Sequence, residues 1–96
     1  MPKNISRLPQ YVIAVNITDI ETNVTFDVFV MSEDADTWAV TTNVGDAFMF
    51  FNKDIAKAVA KDLYNKYKDD NDGVIFNHMA ILCIKFSIEG SEELEF

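Results

Sequence analysis

The sequence predicts an α+β fold: a small antiparallel sheet of three to four strands with one amphipathic helix packed on one face, in the order β-β-(β)-α-β. Three observations carry that expectation. Two consecutive segments, Tyr11 to Thr18 and Val24 to Met31, alternate with period two and are separated by turn residues. A segment from Lys53 to Lys68 is rich in Ala, Lys and Leu and holds neither Gly nor Pro. A second apolar run, Met79 to Ile88, follows a polar turn. With 96 residues the chain suits one core, burying roughly 60 to 65% of the unfolded surface. The expected layout is a loose arm over 1–9, a single domain over 10–90 and an acidic tail over 91–96.

Each element has a local reason. In the first strand Tyr11, Ile13, Val15 and Ile17 share one face, and Val12, Ala14, Asn16 and Thr18 the other. Asp19 to Asn23 supplies turn chemistry, so Val24 to Met31 should return as an antiparallel neighbour. Ser32 to Asp36 is an acidic turn, and Trp38 to Thr42 is a short third strand or an extended edge. Gly45 and Asp46 break the pattern before the aromatic run Phe48 to Phe51. Asn52 stands where an N-cap belongs, and Asp54 complements the positive end of the helix dipole. The helix should stop at the polar run Asp69 to Gly73, after which Val74 to Phe76 leads into the last strand.

One helix covers one sheet face. Val12, Ala14, Phe29, Met31, Met79, Ile81 and Cys83 are expected on the other, where the segment 38–51 or a second chain would cover them. Phe29, Met31, Met79 and Ile81 are therefore the candidate oligomer face.

Charge is distributed unevenly. The helix carries five bases and two acids, leaving fourteen acids against three bases elsewhere, in a chain of net charge −8. At about 100° per residue, Lys53, Lys57, Lys61 and Lys68 share a stripe with Tyr64, about 130° from the face of Ala56, Val59, Leu63 and Tyr67. This basic ridge is expected to face solvent or a partner. The acids gather in Glu33, Asp34 and Asp36, in Asp69, Asp70 and Asp72, and in Glu89, Glu92, Glu93 and Glu95. Those three clusters are the candidate sites for a partner with a basic surface. A body so acidic repels nucleic acid, so binding through the lysine ridge is the weaker alternative.

Catalytic signatures are lacking. His78 and Cys83, the only residues of their kinds, are five positions apart and point to opposite faces of one strand. Three glycines leave no phosphate-cradling loop, and no metal-ligand spacing occurs. Asp70-Asn71-Asp72-Gly73 has the middle of a calcium loop, but that alignment places Lys68 and Met79 at its end ligands. The expectation is a protein without enzymatic activity, metal or other cofactor. The longest unbroken apolar run, Met79 to Ile84, is far short of the ~20 residues a membrane span needs. One cysteine and no leader-like N-terminus point to the cytoplasm.

The stretch from Trp38 through Val44-Gly45-Asp46-Ala47-Phe48-Met49-Phe50, continuing into Asp54-Ile55-Ala56 and Val59-Ala60-Lys61-Asp62-Leu63, resembles a pattern in small acidic phage-encoded accessory proteins. In those proteins a Trp-containing strand leads to an Ala-x-x-Phe segment and a short helix with spaced alanines. Some of them, including anti-CRISPR and anti-restriction proteins, block host nucleic-acid machinery. The resemblance implies a binding module that inhibits a host defence or nucleic-acid-binding protein in the host cytoplasm. The alternative is a homo-oligomeric accessory protein that uses its apolar sheet face.

Overall fold

The computed structural model describes residues 9–69, 73–85 and 88–95. Its elements are β1 (Gln10–Asp19), β2 (Val24–Val30), β3 (Val40–Thr41), a 3-10 turn (Val44–Asp46), α1 (Lys53–Tyr67), β4 (Val74–Ile84) and β5 (Ile88–Leu94). All strand pairs are antiparallel, in the order β3-β2-β1-β4-β5. The α+β class holds, with five strands among the described residues rather than three or four. The fifth strand forms where an acidic tail was expected, because the stretch up to Leu94 pairs with β4. The expected arm, Pro9 apart, lies outside the described residues, as do Asp70 and Asp72.

The β1–β2 turn is built as its residues require. Asp19 Oδ1 accepts from the amide of Glu21 at 2.9 Å, and Asn23 takes the left-handed conformation, φ 58°. Gly73 does the same where α1 hands over to β4, φ 88°, and its carbonyl accepts from Ile20 N at 2.8 Å. That bond ties the hairpin turn to the start of β4. At the other end of the sheet, Tyr11 and Phe50 exchange two backbone hydrogen bonds of 2.7 and 2.8 Å. The segment before α1 is thus stitched onto β1 beyond the end of its pairing with β2.

α1 begins as expected: Asn52 Oδ1 accepts from the amides of Asp54 and Ile55, at 2.8 and 3.1 Å. Ala56, Ala60 and Leu63 are fully buried against Ile13, Val15, Val28, Val30, Met79 and Ile81. Trp38 packs 4.9 Å from Phe76 and 5.9 Å from Tyr67, ring centroid to centroid, while Phe48 and Phe50 meet edge-on at 4.7 Å. The 38–51 segment therefore extends the layer that α1 begins. It does not cover the opposite face, as the sequence had suggested it could.

The register corrects the assignment of faces. Met79 stands opposite Val15, and Ile81 opposite Ile13. Both lie beneath α1 at 1% exposure. Neither belongs to an oligomer face, and Cys83, opposite Tyr11, shares their side. The other side of β4 is formed by Ala80, Leu82 and Ile84, beside Ala14 and Phe29. An irregularity between Asn16 and Ile17 gives β4 one extra residue, Asn77, whose amide donates to Asn16 Oδ1 and Thr18 Oγ1 at 2.9 Å each.

Two substitutions test this packing. Leu63→Ala removes a fully buried side chain and should destabilise by about 2–5 kcal/mol. Asn52→Ala, which loses the cap, should cost about 1 kcal/mol. Urea unfolding followed by circular dichroism reads both, and a cap variant costing more than the core variant would contradict the packing.

Candidate functional site

The layer geometry decides which charges face each other. Within α1 the buried positions Ala56, Ala60 and Leu63 centre at about 310°, closer to the lysines than the sequence pattern implied, because Ala60 at about 340° is fully buried and Val59 only half. Lys53 and Lys57 consequently flank the sheet and do not face away from it. On β5, Glu92 is paired with Ile81 and so shares the helix side. The two ammonium groups converge on its carboxylate, Lys53 on Oε1 and Lys57 on Oε2.

This clasp sets the local electrostatics. Hydrogen bonds from Lys53 and then Lys57 hold the Glu92 carboxyl down at about 2, from an ordinary 4.5. The same bond raises Lys53 above its usual 10.5. The Glu92 side chain is 40% exposed, so solvent screens the group and the clasp orients β5 more than it stabilises the fold.

The remaining ridge residues scatter. Tyr64 is half-buried beside the core, 6.5 Å from Phe76, and Lys68 Nζ sits 5.1 Å from the Tyr64 ring centroid. Lys61 is exposed. Lys66, which the ridge did not include, reaches the Asp36 carbonyl at 3.5 Å.

The acids fall into two regions. Tyr67 Oη donates to the Asp36 carbonyl at 3.1 Å, which holds the loop of Glu33, Asp34 and Asp36 against the helix. Asp19 and Glu21, which sequence reasoning passed over as turn residues, stand beside the start of β4, where Ile20 N donates to the Gly73 carbonyl. The other region runs along β5: Glu89, Glu93 and Glu95 are exposed, and Glu93 Oε2 lies 3.5 Å from His78 Nδ1. The cue that was missed is the parity of Glu92 against its neighbours, visible only once β5 is known to be a strand. Phe29 and Met31 lie on the face away from α1, Phe29 half-buried and Met31 45% exposed.

Among the described residues no group of three His, Cys, Asp or Glu side chains is placed to hold a metal ion. None of the described helices is long and apolar enough to cross a membrane. Two shallow grooves flank the clasp. One of about 450 Å³ runs between Lys57, Lys61 and residues 92–95. The other, of about 340 Å³, contains Tyr11, Cys83 and Ser91. Mixed charge in the first and a thiol in the second do not by themselves compose a catalytic set.

The depressed Glu92 pKa has a definite pH signature. The folded state binds this proton less tightly than the unfolded state, so the contribution is complete above pH 4.5 and is lost as pH falls toward 2. In urea titrations across that window, Glu92→Gln should flatten the decline in stability relative to the parent chain. Parallel curves would mean that the clasp does not form in solution.

No protein-family model, curated protein or solved structure matches this chain.

Proposed function

We propose that this chain is a non-enzymatic protein-binding module whose exposed carboxylates dock a basic protein surface. The observation that supports the reading is an asymmetry in how the charges are used. Lys53 and Lys57 are engaged by Glu92, Lys66 by the Asp36 carbonyl, and Lys68 by the Tyr64 ring. Glu33, Asp34, Asp36, Asp69, Glu93 and Glu95 all remain exposed. With a net charge of −8, these exposed carboxylates favour fast encounter with basic partners and disfavour nucleic acid. Basic surfaces on proteins commonly serve nucleic-acid binding. Together with the resemblance to small phage-encoded accessory proteins, this favours inhibition of a host nucleic-acid-binding or defence protein, by occupying that surface in the host cytoplasm.

A homodimer through Phe29 and Met31 is the second reading, supported by the exposure of Met31 away from α1. Light scattering coupled to size exclusion separates the two, since the docking reading expects a monomer in the micromolar range.

The chain used as bait in a bacterial lysate should retain a basic protein at low salt and release it at high salt. Glu93→Lys combined with Glu95→Lys should weaken the purified pair about tenfold or more and flatten its salt dependence. A partner whose retention ignores both salt and these reversals would remove the electrostatic reading. Gel retardation of duplex DNA that Lys57→Glu with Lys61→Glu abolishes would restore the basic ridge instead.

A further inference from the structure

The sheet has two unequal edges. β3 has only two residues, whereas β5 runs for seven, from Ile88 to Leu94, and among the described residues pairs only with β4. Along its outer side, alternate N–H and C=O groups point away from β4, with no strand among the described residues to receive them. The strand is held in place by its ladder to β4 and by the Glu92 clasp, so ordering it costs a partner little.

The two flanks of this edge differ in sign. On the helix flank the groove carries Lys57 and Lys61. Glu92 is shared between Lys53 and Lys57, so the clasp keeps one net positive charge, and Lys61 is exposed and makes no salt bridge among the described residues. On the opposite flank stands Glu93, with Glu95 just beyond the strand end, both exposed. A second copy is a poor occupant, because two β5 strands side by side would set Glu93 and Glu95 of each against the glutamates of the other. An added strand of the right kind meets no such conflict. Its side chains alternate between the flanks, so the edge fits a segment with basic residues at every second position and acidic or polar residues between them.

We infer that β5 is a docking edge for an extended segment of a protein partner, recognised by strand addition and by alternating charge: basic residues toward Glu93 and Glu95, acidic residues toward Lys61. This deepens the acidic-docking reading above and rests on it, by naming where the partner sits and in what conformation. Backbone pairing would supply affinity, and the alternation would supply register and specificity.

The test uses the intact chain and three synthetic heptapeptides: alternating lysine and glutamate, the same composition in block order, and the alternating peptide N-methylated at every second amide. In ¹H–¹⁵N NMR titrations the alternating peptide should shift β5 and the Lys61 flank saturably, and protect the outward β5 amides from exchange. The block and N-methylated peptides should bind at least tenfold more weakly, because one loses the register and the other the backbone pairing. Glu93→Lys with Lys61→Glu should reverse the preferred register while leaving the spectrum of α1 and β1 dispersed. Equal binding of alternating and N-methylated peptides overturns strand addition yet leaves charge docking standing. Failure of both these peptides and any basic protein to bind overturns the inference together with the reading beneath it.

Discussion

The pairing of β1 with β4 is the constraint from which the rest follows. Every residue of β1 has a partner in β4, so a strand from the start of the chain and one from its last quarter become the centre of the sheet. Such a pairing is costly to close and leaves little freedom once formed. It fixes which side chains meet α1: Ile13 with Ile81, and Val15 with Met79. It also fixes where β5 can run, and therefore where Glu92 points.

The helix answers that register with small side chains. Ala56 and Ala60 are both fully buried, which lets the helix axis lie close to the sheet and brings the stems of Lys53 and Lys57 down to its margin. Charge that looks like an exposed ridge along the sequence is thereby turned into a contact between two elements. Because Glu92 is pinned from both oxygens, β5 is oriented by its side chains as well as by its ladder. Acidity then dominates what the molecule presents outward.

Much of the fold was legible in the sequence. Alternation in Tyr11–Thr18 and Val24–Met31, the cap at Asn52 and the Gly-free helix each carried a local signal that the structure honours. Two features were illegible for physical reasons. β4 is apolar on both faces, with Met79, Ile81 and Cys83 on one and Ala80, Leu82 and Ile84 on the other, so nothing in its pattern says which set meets the helix. One extra residue at Asn77 adds to the ambiguity. β5, in contrast, hides as a strand: Glu, Gly and Ser fill its middle, residues that disfavour sheets. It forms because β4 offers a long ordered edge and two lysines await its one inward acid. How the acids are held depends on packing the sequence pattern does not carry, as when Glu92 turns to Lys53 and Lys57 and Tyr67 binds the Asp36 carbonyl.

The two-residue β3, with the segment leading into α1 stitched beside it, gives this sheet an edge much shorter than β5. Phe48 donates to the Val30 carbonyl, and Phe50 exchanges bonds with Tyr11, so part of the backbone at that end is spent on the chain itself. The two sides of the sheet are therefore unequal as templates for a further strand. Two open edges would allow copies to add end to end without limit, as fibrils do. Here the short, partly occupied side makes addition at both edges less favourable than on a sheet with two long edges.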